Sequence, residues 1–241
     1  MITAITPTGD RPLAFRLCQQ WMRHQTLKAD QWIVVDDGKK PLTKTKGFDY
    51  IRREPKKSDP KFTLIENLKI AIPYIKGNKI LIIEDDEYYS PYYIETMSKH
   101  LSKHEVVGIG NSKYYHLPSG GNFTIGNMKH ASLAETGFRR SFLSTFKELL
   151  NQNNVYIDVV LWRKANGFIF TDSKKNPLYL GIKGLAGRRG IGRGHDPLLY
   201  KKFPPDISRS KLKKWIPKDY QIYMDVIKGS LTDKNCEDYF A

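Results

Sequence analysis

In Lys79-Ile80-Leu81-Ile82-Ile83-Glu84-Asp85-Asp86-Glu87, four aliphatic residues run directly into four acids. A continuous aliphatic run without polar alternation fits a strand covered on both faces, as in a parallel sheet flanked by helices. Carboxylates crowded beyond its end repel one another unless solvent or a cation neutralises them, and a divalent metal suits that task. The same acids also read as a solvated turn, or as the acidic start of a helix that Ser90-Pro91 is expected to open.

Outward from this strand, the pattern alternates. Upstream, Ile2–Thr6 reads as a first strand and Pro7-Thr8-Gly9-Asp10 as its turn. Leu13, Leu17 and Trp21, with Ala14, Cys18 and Met22, then recur at the spacing of one helical stripe. Trp32–Val35 reads as a second strand closed by Asp36-Asp37-Gly38, and Phe48–Arg52 as a third. Thr63 and Glu66 stand at capping-box spacing ahead of Leu64, Ile65, Leu68, Ile72 and Ile75. Downstream, a strand is expected over Glu105–Ile109, a loop over Pro118–Asn122, and helices over Ser141–Leu150, Val155–Lys164 and Leu212–Ile227. Strand and helix in alternation predict an α/β fold with a central, mostly parallel sheet flanked by helices. No repeat or clean linker interrupts the chain, so a single domain over residues 1–241 is expected.

The 241 residues suffice for one large core. Lysine and arginine number 40 against 25 acids, a net charge of +15, which favours polyanionic partners: nucleic acid, anionic membrane or phosphorylated ligands. Cys18 and Cys236 are too few for a disulfide framework, and the start at Met1-Ile2-Thr3-Ala4-Ile5 reads as a strand and not as a leader. A reduced, cytoplasmic setting is expected, with no membrane span and a monomeric state.

In a parallel sheet, ligands bind beyond the carboxyl ends of the strands. Thr6, Pro7, Thr8, Asp10 and Arg11, then Asp36 and Asp37, then Glu84, Asp85 and Asp86 fall at three such ends, with Asn67 on the helix between. Backbone and hydroxyls at Thr6–Thr8 suit a base or ribose, and Asp36 suits the donors of a uracil or a ribose. Asp36-Asp37-Gly38 also reads as a simple turn. A second constellation runs from Gly181 to His195, where six glycines permit close backbone approach to a ligand. Lys183, Arg188, Arg189 and Arg193 supply charge for phosphate there. A nucleic-acid-binding Gly/Arg tail is the plainer reading, although such tails sit at termini. Asp158, among apolar neighbours, reads as a helix N-terminal acid or as a functional carboxylate.

The order Ile2-Thr3-Ala4-Ile5-Thr6-Pro7-Thr8, Trp32-Ile33-Val34-Val35-Asp36-Asp37-Gly38 and Ile82-Ile83-Glu84-Asp85-Asp86-Glu87-Tyr88-Tyr89 resembles glycosyltransferases of the GT-A fold, most of all the family-2 type. The resemblance covers about residues 2–100. It implies a nucleotide-sugar-binding half over 1–110 and an acceptor-binding half over 111–241, with a UDP-sugar as donor. It further implies a divalent metal, Mn or Mg, on Asp86, with Glu84 in the place of the motif's first aspartate. A late histidine often joins that metal in this fold, which makes His195 the second ligand, and an acid like Asp158 serves as catalytic base in its inverting members, ahead of Asp172.

The Gly181–His195 stretch, together with the basic surplus, resembles the glycosyltransferases associated with TET/JBP oxygenases, including phage enzymes and the base J glucosyltransferase. That resemblance implies transfer of a sugar, glucose being the expected one, to the hydroxymethyl group of 5-hydroxymethylcytosine or 5-hydroxymethyluracil in DNA. The setting is then a host cytoplasm if the gene is phage-borne. Lys211, Lys213, Lys214 and Trp215 interleave charge with an aromatic ring and are the expected DNA contacts. A transferase acting on a surface or lipid-linked glycan, and a non-catalytic DNA-binding module, remain the alternatives.

Overall fold

Ile80 and Ile82 pack into one hydrophobic core while Leu81 and Ile83 pack into another, so the aliphatic run is buried on both faces. This is the period-two alternation of a strand between two helical layers. The computed structural model describes residues 1–43, 45–172, 176–188, 190 and 192–240, with the backbone alone of Arg193.

The first part of the chain runs β1 (Ile2–Thr8), α1 (Pro12–His24), β2 (Gln31–Asp36), β3 (Asp49–Arg52), α2 (Leu64–Ala71), β4 (Lys79–Ile82), β5 (Tyr88–Tyr89), α3 (Tyr93–Leu101) and β6 (Val106–Ile109). There follow β7 (Asn111–His116), β8 (Asn122–Gly126), β9 (Thr136–Arg139), α4 (Leu143–Asn151), α5 (Ile157–Lys164), β10 (Phe168–Phe170) and β11 (Tyr179–Lys183). The C-terminal part is helical, with α6 (Pro197–Tyr200), α7 (Ser210–Trp215), α8 (Tyr220–Lys228) and α9 (Cys236–Tyr239).

A seven-stranded sheet has the order β10-β6-β9-β4-β1-β2-β3. Its pairs are parallel except where β9 enters antiparallel between β4 and β6. Strands from both sides of residue 110 therefore build this one sheet. A four-stranded sheet, β5-β11-β7-β8, stands beside it. Apolar residues of α1 and α3 fill one core, and those of α2, α4 and α5 fill the other.

Three expected elements differ. The helix placed at Ser90-Pro91 begins at Tyr93, because Tyr88 and Tyr89 pair antiparallel with Leu180 and Tyr179 of β11. The capping box at Thr63 does not form: its hydroxyl accepts a hydrogen bond from Arg188 at 3.2 Å, and Glu66 pairs with Lys69 at 3.0 Å. The helix expected over Leu212–Ile227 is two helices, α7 and α8, separated at Pro217, which has no N–H to donate.

Candidate functional site

Parallel register brings the strand ends together: Thr8 lies opposite Asp36, and Ile5 opposite Ile82. The four acids beyond β4 meet different fates there. Asp85 is fully buried, accepting the Thr8 hydroxyl at 2.6 Å and pairing with the Arg11 guanidinium at 2.5 Å. Asp86 pairs with the same guanidinium at 2.7 Å. Glu87 is bound by Lys183 and accepts the Ile182 N–H at 2.7 Å, so both of its oxygens are engaged inside the protein. Arg11 and Lys183 thus provide part of the positive charge that the acid run demands.

The electrostatics separate the acids further. Burial pushes the Glu84 carboxyl up to about 7 and the Asp85 carboxyl up to about 6. Burial pushes Asp86 the same way, but Arg11, Lys183 and His195 outweigh it and hold Asp86 below the ordinary carboxylate range. Asp86 is thus the acid of this run whose surroundings most favour the ionised form that binds a metal. Oxygens of Glu84, Asp86 and Glu87 lie within 4.8 Å of one another. With Glu87 engaged by Lys183, the groups that fit a divalent cation are Asp86 and Glu84, with the His195 imidazole beside the same cleft.

That cleft is open to solvent on one side and is built from several segments of the chain. Pro7, Thr8 and Arg11 form one wall, Phe62 and Asn67 another, and Arg188 and His195 close it from the loop after β11. A smaller lobe shares Arg11, Asp86, Arg188 and His195 with it and adds His116 and Lys183. Glycine is required where the loop comes in. Gly187 has φ of 100°, and a Cβ there would stand 2.4 Å from Arg11 Cγ, while one on Gly190 would stand 2.6 Å from the His195 ring.

Arg188 is the residue that fastens this loop. It forms an ion pair with Asp37, and its Nε donates to the Gly9 carbonyl at 3.3 Å. Asp37 also receives Arg53 at 2.6 Å, and the two guanidiniums with Thr63 overcome its burial to hold the carboxyl below its usual range. Asn67 lines the cleft and accepts from Arg53 Nε at 2.7 Å.

Other expected site residues are placed differently. Thr6 is fully buried and accepts the Trp32 indole N–H at 2.9 Å, so it faces the core and not the cleft. Asp36 is used internally, accepting from the Gly38 and Leu42 N–H groups and the Tyr50 hydroxyl at 2.9, 3.0 and 2.9 Å. Its turn reading describes it better than a ligand contact does. Asp10 is exposed, in the left-handed region at φ of 55°, and accepts the Lys39 N–H at 2.7 Å. Arg189 lies outside the described residues, as does the Arg193 side chain.

Asp158 sits in the first turn of α5, half-buried, with His130 Nε2 at 3.3 Å from its carboxylate. Asp172 is instead a buried structural acid that accepts from Asn111, Lys113 and the Leu178 N–H at 2.8, 2.8 and 2.7 Å. Lys211, Lys213 and Lys214 are exposed on α7, whereas Trp215 is buried in the core with Lys211 over its ring at 5.0 Å. Trp215 is thus unavailable for stacking on a base. Sequence reasoning missed Phe62, His130 and the buried Glu135, none of which belongs to a short motif. Among the described residues, no helix is long and apolar enough to cross a membrane.

A mostly parallel central sheet flanked by helices, with a cleft and an acid cluster at its carboxyl edge, is the architecture of the GT-A class of α/β proteins. The sequence profile of glycosyl transferase family 2 matches residues 3–166, and the chain belongs to that family. Among solved structures, Staphylococcus aureus TarS 1-349 in complex with UDP is similar with a TM-score of 0.52 at 15% identity, over 75% of this chain and 60% of that one. The same fragment with UDP-GlcNAc gives 0.50 at 15% identity, over 100% of this chain and 70% of that one. The mannosyltransferase PcManGT from Pyrobaculum calidifontis, in complex with GDP-Man and Mn2+, gives 0.50 at 12% identity, over 78% and 58%. The chain thus spans about 60% of the length of the first TarS structure it matches. No curated protein matches the chain.

Proposed function

We propose that this protein is an inverting, metal-dependent glycosyltransferase that moves a sugar from a UDP-sugar to the hydroxymethyl group of a modified pyrimidine in DNA. The observation that carries the donor half is the cleft where ionised Asp86 meets Arg11, Arg188 and His195 at the sheet's carboxyl edge. The carboxylates of Asp86 and Glu84, with the His195 imidazole lining the same cleft, support a place for Mn2+ or Mg2+ there, as do the nucleotide sugars held by TarS and PcManGT. When bound, the metal supplies charge stabilisation to the leaving diphosphate.

The chain's own groups supply the rest. Arg188 and Arg11 offer guanidinium donors to the diphosphate, and Phe62 offers an apolar wall to the base. Asp158 takes the proton of the acceptor hydroxyl while its oxygen bonds to the anomeric carbon. The bond from that carbon to the diphosphate breaks and UDP departs, so the anomeric configuration inverts. A net charge of +15 and exposed Lys211, Lys213 and Lys214 support a DNA acceptor, held through phosphates and not by stacking on Trp215.

The test is incubation of hydroxymethylated and unmodified DNA with UDP-sugars and Mn2+, followed by mass spectrometry of the nucleosides. Sugar is expected only on the hydroxymethylated base, since neither a methyl group nor the bare ring offers a hydroxyl at that position. Asp158→Asn should keep donor affinity and lose transfer. Sugar on a lipid-linked or soluble glycan, with none on DNA, would replace the acceptor assignment.

A further inference from the structure

Asp158 does not stand alone. Its Oδ1 accepts the Val159 N–H at 2.9 Å, and its Oδ2 faces His130 Nε2 at 3.3 Å. The other ring nitrogen of His130 lies 2.6 Å from Asn127 Nδ2. Which nitrogen carries the proton follows from the Asn127 amide. Asn127 Oδ1 accepts two backbone N–H groups, those of Lys129 at 2.9 Å and His130 at 3.2 Å, so the oxygen is committed to the turn. The amide nitrogen therefore points at His130 Nδ1 and donates to it. Nδ1 is an acceptor, the ring proton sits on Nε2, and that proton points at Asp158.

These contacts tie the first turn of α5 to the segment that leads into β9. Leu81 of β4 pairs with Gly137 of β9, so the segment leading into β9 runs past the carboxyl end of β4. The Tyr89 hydroxyl ties the two together, accepting the Glu84 N–H at 2.9 Å and donating to the Ala134 carbonyl at 3.3 Å. Trp162 Nε1 holds α5 to the same place through the Thr136 hydroxyl at 3.1 Å, and Val155, just before α5, lines the main cleft. The turn itself is fixed by the Asn127 N–H, which donates to the Gly110 carbonyl at 2.5 Å.

We propose that His130 is a positioning residue for Asp158, and that Asn127 sets its tautomer so that Nε2–H orients the carboxylate toward the acceptor hydroxyl. The inference rests on the assignment of Asp158 as base. In this arrangement His130 acts through its Nε2–H as an orienting donor and is not itself assigned the acceptor's proton. The proton that Asp158 gains leaves by another route.

The direct test is nitrogen NMR of the histidine rings, which needs no substrate. His130 is expected as the Nε2–H tautomer in the wild type. In Asn127→Asp one carboxylate oxygen keeps the two backbone bonds and the other can only accept, so the proton should move onto Nδ1. A wild-type Nδ1–H tautomer overturns the inference. The second test is turnover of UDP-glucose on DNA containing 5-hydroxymethylcytosine. His130→Ala is expected to lower kcat about 10- to 100-fold, with the donor KM within about twofold of wild type. His130→Gln, whose amide N–H reaches the same place, should recover most of that loss. Equal loss in the Ala and Gln variants overturns the positioning role. If the wild type itself turns over no UDP-glucose on this DNA, the acceptor or sugar assignment fails and the tautomer decides the inference alone.

Discussion

Arg188 and Asp37 form an ion pair that joins the loop after β11 to the end of β2, closing the cleft over the ends of three strands. The guanidinium is shared among Asp37, the Gly9 carbonyl and the Thr63 hydroxyl, so one side chain fastens the loop to three segments. Arg188→Ala is expected to free the loop while the fold persists, because Asp37 keeps Arg53 at 2.6 Å. Trypsin should then cut at the remaining loop arginines several-fold faster than in the wild type. An unchanged digestion rate would show that other contacts hold the loop.

Asp85 and Asp86 should separate by phenotype although they are neighbours. Asp85 is fully buried on Thr8 and Arg11, and Asp85→Asn leaves the guanidinium without its closest partner. Because the guanidinium keeps Asp86 at 2.7 Å, the loss is expected at about 1–3 kcal/mol, the cost of an imperfectly satisfied buried group, which urea unfolding should register. Asp86→Asn should also lose stability in urea unfolding, because Arg11, Lys183 and His195 favour its ionised carboxylate in the fold, and should in addition lose the Mn2+ dependence of UDP-sugar binding in calorimetry. Metal-dependent binding that survives in Asp86→Asn would move the metal to other ligands.

The aliphatic run before Glu84, the helical stripe of α1 and the strand ending at Asp36 were legible because each rests on local periodicity. So was the family, since the order of three strand ends is itself a sequence pattern. What was hidden is which charges meet. Arg11 reaches Asp86 across 75 residues and Lys183 reaches Glu87 across 96, and no local spacing encodes either encounter. Thr6, Asp36 and Trp215 sit within ligand-like motifs yet face inward, because core partners such as Trp32 and Tyr50 claim their polar atoms or their rings pack against helices. The pairing of Tyr88-Tyr89 with β11 was equally hidden, whereas the helix signalled by Ser90-Pro91 does follow, from Tyr93.

Glu135 is a buried carboxyl whose Oε2 accepts from Ser112 and Ser132 at 2.5 and 2.8 Å and whose Oε1 has no partner. Burial pushes it up from 4.5 to about 7, against the opposing effect of those hydroxyls. The folded protein therefore holds this proton more tightly than the unfolded chain does. Its contribution to stability is intact below about pH 4.5 and is lost as pH rises through about 7. Glu135→Gln removes the titration, so at pH 8 the variant should exceed the wild type by on the order of 2–3 kcal/mol in urea unfolding, with the gap narrowing toward pH 5. A gap that does not change with pH would assign the effect to packing.

Lys211, Lys213 and Lys214 stand exposed on α7, while Trp215 beside them is buried. If DNA is the acceptor, as proposed, such a surface would bind it by displacing counterions, so the affinity should fall as salt rises, modified base or not. Each phosphate contact adds about 0.9 to the slope of log affinity against log salt. Replacing the three lysines together by alanine should lower that slope by roughly 2 to 3 and weaken binding to hydroxymethylated and unmodified duplexes alike. UDP binding should not change, because none of the three lines the donor cleft. Trp215→Phe, which preserves the buried ring, should leave DNA affinity as it is, whereas a base-stacking tryptophan would lose affinity. An unaltered salt slope in the triple variant would take α7 out of the DNA surface and move the search to the other basic faces of the protein.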